Sequence, residues 1–343
     1  MKKLLFTALA VLAILAAATV VSIAEEASVQ TFPLPVKVLL LPNFEVGEMT
    51  GDFPGEAQYY YEQYLIGADE YDVPNSPYKL YYKDGVAMSL LGMGKVNAAL
   101  GTMAILSDSR FDWSQAYIIS TGCAGSASES TVMGDVFIIT SAVDYDLGHH
   151  ADAREIADPD GTTWFHDVDF DDAAVVRLNP ILMEKVYTLV KDTPVETTDV
   201  TRNYMRAAFD GADWAVRDPQ VLRGTTVTGD NYWKGQYGHE NALLMAEVYQ
   251  CPDPYALTEM EDVAVARTVE RMGMLDRLII IRDSVNMDVF MLGATPESLW
   301  GDAETMTLAN EENVEAADIF MTAMKNNFEV GRIIVDMILG EQF

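Results

Sequence analysis

Apolar residues along this chain come in two kinds of block. Short runs of apolar and β-branched residues fall at residues 36–41, 86–91, 116–120, 224–228, 255–259 and 277–281, and their length and content predict buried strands. Longer segments with helical character fall at 56–65, 95–106, 180–191, 201–214, 262–272 and 313–339, the last with an expected break near Asn326. Strands that alternate with helices predict an α/β fold: a central mixed, largely parallel sheet flanked by helices. Residues 144–172 are polar and acidic and read as a long loop or insertion. Neither an internal repeat nor a low-complexity segment breaks the pattern, so residues 25–343 are expected to form a single domain. Ligands of such sheets bind beyond the carboxyl ends of the strands, and that is where chemistry is to be sought.

The first residues read differently. Lys2 and Lys3 precede an uncharged apolar run at 4–21, and Ser22 and Ala24 have the spacing a signal peptidase reads. Residues 1–24 are therefore expected to be a signal peptide, and the mature chain to be exported, periplasmic or extracellular. No later apolar run is long enough to cross a bilayer, so a membrane channel is not expected. Charge narrows the partners. Lys and Arg number 22 against 53 Asp and Glu, a formal net charge of -31, which repels nucleic acid and anionic membrane surfaces. An anionic substrate would need a local pocket of positive charge. The two cysteines, Cys123 and Cys251, are expected to be unpaired thiols, although export would allow a disulfide.

Candidate chemistry clusters after the strands. The loop at 44–56 is rich in Gly and acidic residues and delivers Glu56 to a helix start, where a carboxylate either answers the helix dipole or orients a water. Gly92-Met93-Gly94-Lys95 and Gly122-Cys123-Ala124-Gly125 lack the spacing of a phosphate or dinucleotide loop and read as tight turns. Tyr232 and Trp233 offer faces for a flat base or form a core pair. Glu259-Met260-Glu261-Asp262 gathers carboxylates at a strand-to-helix junction, suited to the vicinal hydroxyls of ribose or to helix capping. Arg282-Asp283-Ser284-Val285-Asn286-Met287-Asp288 follows another strand. His149 and His150 have no partner at ligand spacing, so no metal is expected.

In this order, the motifs Glu-x-Gly…Thr-Gly-Asp-x-Pro-Gly-Glu, Gly-Asp-x-Tyr-Trp-x-Gly, Met-Glu-Asp and Arg-x-Ser-x-Asn-x-Asp make the chain resemble the purine nucleoside permease family, and through it the nucleoside phosphorylase and nucleosidase superfamily. The resemblance runs from about residue 35 to the last helix. It implies a nucleoside phosphorylase-like fold, a purine nucleoside as ligand and no cofactor, with phosphate as a co-substrate only in phosphorolytic relatives. Met260 and Glu261 match the pair that holds the ribose. Tyr232 matches the aromatic that stacks on the base, with Trp233 beside it. Thr121, Gly122, Cys123, Ala124 and Gly125 match the strand end that lines base and sugar. Asn286 matches the group that polarises the purine N7, and an amide there favours 6-oxopurines such as inosine or guanosine. Glu56 matches the carboxylate that orients water, with Glu45 as the rival. Arginines that clamp phosphate in one branch are missing: no Arg or Lys lies within 43–64, and Ser120 stands at the second position. Lys95 and Arg282 remain as candidates for anion binding. The expected activity is cleavage of the N-glycosidic bond, hydrolysis being favoured over phosphorolysis. The alternative is an exported nucleoside-binding protein that serves a separate membrane transporter. The superfamily also implies a homo-oligomer.

Overall fold

The structure is a computed structural model and describes residues 31–157, 164–165, 170–209, 213–297 and 314–342. The chain divides into two compact units at Leu34/Pro35, and the second unit holds the main sheet and its helices. The expected signal peptide lies outside the described residues, as do Asn313 and the middle of the acidic insertion.

Ten strands build one sheet: β1 (Val38–Leu41), β2 (Asp69–Asp72), β3 (Lys79–Lys83), β4 (Val86–Met88), β5 (Tyr117–Ser126), β6 (Val136–Asp144), β7 (Val175–Arg177), β8 (Val221–Thr228), β9 (Tyr255–Glu259) and β10 (Leu278–Met287). Parallel pairs carry its centre: β4 with β1, β1 with β5, β5 with β10, β6 with β8 and β8 with β9. Antiparallel pairs add β2, β3 and β7 at the rims. Two further antiparallel pairs, β5 with β9 and β6 with β10, close β5, β10, β6, β8 and β9 into a ring. The residues of β1 and the Leu278–Ile281 half of β10 are fully buried, which is why both read as continuous apolar runs.

Seven helices matter to the site: α1 (Gln58–Tyr64), α2 (Lys95–Leu106), α3 (Pro180–Val190), α4 (Asp199–Ala208), α5 (Gln236–Val248), α6 (Asp262–Arg271) and α7 (Val314–Leu339). Local chemistry starts several of them. Asn179 caps α3 ahead of Pro180, and Thr198 caps α4. The helix α7 packs on β10 and β5 and gathers α1, α3 and α4 around it, whereas α2 packs on α6. It is not broken at Asn326. That side chain is buried and bonds Gly134 O and both backbone groups of Glu196, which ties α7 to the ring. No described helix is long and apolar enough to cross a membrane.

Two expectations change here. The segment Thr121–Gly125 is not a turn; it is the second half of β5, which runs unbroken to Ser126. The strand at 277–281 likewise continues to Met287, with a bulge between Ser284 and Asn286. A bulge re-aims the side chains beyond it, and here it sets Asn286 opposite Gly125.

Candidate active site

The carboxyl ends of β1, β5, β9 and β10 converge on one fully buried guanidinium. Arg282 donates from Nε to both oxygens of Asp262 at 3.1 Å and from Nη2 to Asp262 Oδ1 at 2.7 Å. Its Nη2 also lies 3.4 Å from Glu261 Oε2 and 3.5 Å from Glu259 Oε2. Nη1 donates to Cys123 O at 3.1 Å and stands 3.9 Å from Glu56 Oε1. One cation thus sits among four carboxylates, all nearly buried. Arg282 is therefore engaged, not free for an anion. Lys95 is engaged too: its ammonium lies 2.7 Å from Asp144, 2.8 Å from Asp146 and 4.0 Å from Asp230.

The backbone decides which carboxylates are structural. Glu45 accepts from Val46 N at 2.8 Å, from Gly55 N, from Ala57 N at 3.0 Å and from Gln58 N at 2.6 Å. It satisfies the start of α1, whose first amides have no intrahelical partner. Glu259 does the same for α6, accepting from Glu261 N and Asp262 N at 2.6 Å each and from Thr226 Oγ1 at 3.0 Å. Glu56 and Glu261 remain. Glu56 Oε2 accepts from Asn43 N at 2.7 Å and Asn43 Nδ2 at 3.0 Å; Oε1 accepts from Cys123 N at 2.9 Å and faces Cys123 Sγ at 3.3 Å. Burial, with Glu56 beside it, pushes the Cys123 thiol well above its usual range, so it stays a donor. Among the described residues, Glu261 Oε1 accepts only from Gly94 N, at 3.0 Å. Burial raises its carboxyl above the ordinary range, Arg282 opposes this, and Glu259 and Glu56 add to it.

Glycines make these approaches possible. A Cβ on Gly122 would lie 2.3 Å from Glu56 Oε1, and one on Gly125 would lie 2.7 Å from Asn286 Oδ1. Asn286 is half-buried, and its side chain has no hydrogen-bond partner among the described residues. Ala124 is buried in the same strand, whereas Thr121 donates to Asn327 Oδ1 at 2.6 Å, in a buried network with Tyr60 and Asp283. Met260 is half-buried between the two glutamates. Trp233 stacks on Tyr145 at 5.1 Å and packs into the core cluster around Ala242 and Met245, so its ring is already covered. Tyr232 is 53% exposed. Both cysteines are free. A cavity of about 520 Å³ is lined by Tyr145, Asp146, His150, Asp230 and Asn231 and shares no residue with the Arg282 cage.

Some residues were not anticipated. Asn43 lies two residues past the end of β1, where the strand-end rule would have found it. Asp288 accepts from Ser128 N at 3.1 Å and Tyr255 OH at 2.8 Å and bonds His239 Nδ1 at 2.7 Å, which fixes the chain two residues past Asn286. Lys234 occupies the variable place in the Gly-Asp-x-Tyr-Trp-x-Gly motif. Among the described residues no group of His, Cys, Asp and Glu is arranged to hold a metal.

The purine nucleoside permease family model matches residues 35–342. The chain belongs to the purine nucleoside permease family. A probable purine nucleoside permease of Schizosaccharomyces pombe is 24% identical over 272 residues, covering 73% of this chain and 74% of that protein. A 5'-methylthioadenosine/S-adenosylhomocysteine nucleosidase of Anoxybacillus flavithermus is 29% identical over 192 residues, covering 55% of this chain and 64% of its own. Among solved structures, the nucleosidase of that name from Neisseria meningitidis, in complex with methylthio-immucillin-A, aligns with a TM-score of 0.52 at 18% identity, covering 87% of this chain and 97% of that one. The fold of the family is thus the nucleoside phosphorylase and nucleosidase fold, with its mixed central sheet and flanking helices.

Proposed function

We propose that this chain binds a purine nucleoside and hydrolyses its N-glycosidic bond. The observation that carries the reading is the Arg282 cage, in which a single guanidinium joins Glu56, which orients water, to Glu261, which holds ribose. Glu261 takes the sugar hydroxyls, with Met260 packed against the ring and Tyr232 on the base. Asn286 donates to N7 as the base leaves. Water attacks C1′, the C1′–N9 pair departs with the purine, and Glu56 receives the water proton. Glu56 already has four donors, as many as a carboxylate accepts. The Cys123 thiol is the weakest of them, and water takes its place.

Hydrolysis is preferred to phosphorolysis because both candidate anion sites, Lys95 and Arg282, are matched by carboxylates. A phosphate dianion there would displace an existing partner in a chain of formal charge -31. Export, with a cleaved segment at 1–24, and assembly into a homo-oligomer belong to the same reading. The relative called a probable permease supports a second one, a nucleoside carrier that hands its ligand to a membrane transporter. Incubating the mature chain with inosine, guanosine and adenosine, with and without phosphate, separates these. Free ribose without phosphate supports hydrolysis, a sugar phosphate means phosphorolysis, and binding without product means a carrier.

A further inference from the structure

Asn43 carries a buried acceptor beside the carboxylate assigned to the attacking water. Its backbone is held on both sides: the N–H donates to Glu56 Oε2 at 2.7 Å, and the carbonyl accepts from Gly92 N at 2.9 Å. The side-chain amide is oriented as firmly. Nδ2 donates to the same Glu56 oxygen at 3.0 Å; turned over, the amide would set Oδ1 against a carboxylate oxygen, acceptor against acceptor. Oδ1 is therefore the free end of the amide. Asn43 is 2% exposed, and among the described residues Oδ1 is buried with no hydrogen-bond partner. A buried acceptor without a donor is unfavourable, and native structures keep few of them. This one is bonded through its own amide to Glu56, so the donor it lacks belongs to the site.

Geometry identifies that donor. The oxygen and nitrogen of a primary amide stand about 2.3 Å apart, so Oδ1 lies no farther than about 5 Å from Glu56 Oε2. One water donating to two acceptors at about 2.8 Å each spans such a separation. Glu261, assigned to the sugar, takes its amide from Gly94 and not from Asn43. A water held by Glu56 and Asn43 gives a proton to each acceptor and keeps a lone pair for C1′. We propose that Asn43 is a catalytic residue, its Oδ1 holding the second proton of the attacking water, and that the Asn43–Glu56 pair selects water over alcohols as nucleophile. The step balances. The water oxygen bonds C1′, the C1′–N9 pair leaves with the purine, one proton passes to Glu56, and the other stays on the new ribose hydroxyl, still bonded to Oδ1. Methanol has only one proton to donate. With that proton on Glu56, its methyl group meets Oδ1 and leaves the acceptor unpaired. This rests on the nucleoside-hydrolysing reading and names the nucleophile which that site admits.

The test is the partition of products. The mature wild type, Asn43→Ala and Asn43→Asp are incubated with inosine in buffer containing a fixed share of methanol, and ribose and methyl riboside are separated by chromatography. Their ratio is read per turnover, so it does not depend on how much of a variant is folded. The wild type should give ribose with at most a trace of methyl riboside. Asn43→Ala removes the acceptor and leaves room for a methyl group. It should raise the ratio of methyl riboside to ribose about tenfold or more, with kcat lowered about tenfold or more and KM changed by less than about threefold. In Asn43→Asp, a carboxyl that shares one proton with Glu56 keeps the shape of the amide, donating with one oxygen and accepting with the other. Its ratio should stay within about threefold of the wild-type value. An Asn43→Ala ratio equal to that of the wild type overturns the proposal, and so does an Asn43→Asp ratio equal to that of Asn43→Ala. A raised KM with unchanged kcat in Asn43→Ala also overturns it, because Oδ1 would then hold a ribose hydroxyl. If the wild type releases no base without phosphate, the hydrolytic reading itself fails and the proposal falls with it; hydrolysis with an unchanged product ratio removes the proposal alone.

Discussion

Gly122→Ala tests the site with a single methyl group. Gly122 lies in the interior of β5, and its φ lies outside the left-handed region, so alanine meets no backbone strain. What it meets is Glu56. The added Cβ would stand 2.3 Å from Oε1, 2.4 Å from Cδ and 2.6 Å from Oε2. Ordinary van der Waals contact begins near 3.4 Å, so the carboxylate must retreat by about 1 Å. Retreat breaks its bonds to Cys123 N and Asn43, and a displacement of about 1 Å costs on the order of 100-fold in a positioned reaction. Overpacking of this kind destabilises by about 1–3 kcal/mol, which a melting curve reads independently. The assay is single-turnover release of base from inosine, with hypoxanthine affinity by calorimetry as the control. We expect the chemical step to fall about 100-fold while hypoxanthine affinity changes less than threefold. A variant with wild-type turnover would refute the assignment of Glu56 to the water.

The two glutamates of the first loop should separate cleanly. Glu45→Ala strands the amides of Val46, Gly55, Ala57 and Gln58 and should lower stability by about 2–4 kcal/mol in denaturant unfolding, while Glu56→Gln should lower turnover by about 100-fold or more with little change in melting. Asn286→Ala should lower kcat on inosine by about 100- to 1000-fold, the worth of one positioned donor to a developing anion; a loss confined to KM would contradict that role. Stability should fall as pH rises from about 5 toward 8. Burial lowers the His239 pKa but the Asp288 carboxylate more than offsets it, and the net raised value means a contribution present below 6.5 that is lost as pH climbs through the folded-state pKa. Glu261 acts in the same sense, since its raised carboxyl holds a proton that the unfolded chain releases near 4.5; a melting temperature flat or rising across this range in calorimetry would contradict both.

The runs at 36–41 and 86–91 were legible as strands because they are mostly buried and carry little but Val, Leu, Ala and Met. The strands β5 and β10 were cut short for a physical reason. Glycine marks turns in most sequences, but Gly122 and Gly125 lie inside a strand, where a missing side chain lets Glu56 and Asn286 approach. Likewise Arg282, Asp283 and Ser284 look like a solvated loop, yet all three are buried: Arg282 lies in the cage, Asp283 Oδ1 accepts from Asn327 Nδ2 and Ser284 Oγ accepts from Ser126. Val136–Asp144 obeys the same apolar rule as the other strands and is absent from the expectations; nothing physical hides it. Glu45 and Glu56 are indistinguishable by type and loop. Only the direction of the amides at 55–58 decides that one caps and the other faces Cys123. Trp233 is similar: its neighbour in sequence is Tyr232, but its partner in space is Tyr145, and adjacency along the chain says nothing of that.

The charge balance of the cage bears on whether the site carries nucleosides or cleaves them. With every group ionised, one guanidinium against Glu56, Glu259, Glu261 and Asp262 would leave three uncompensated negative charges in a buried space. Two of the carboxylates are supported independently of Arg282. Glu259 holds the amides at the positive end of α6, and Glu56 holds Asn43 and Cys123. Asp262 takes the guanidinium at bonding distance. Glu261 has one amide and a longer contact to Arg282, so it is the least compensated of the four, and burial raises its carboxyl. Holding an intact, neutral nucleoside by its hydroxyls requires one acceptor and no such surplus. A sugar that acquires positive charge as its base departs is different. It supplies the missing cation beside Glu56 and Glu261, and the buried charge that is unfavourable in the empty protein becomes an attraction realised only in the transition state. The surplus of negative charge around Arg282 therefore favours cleavage over carriage.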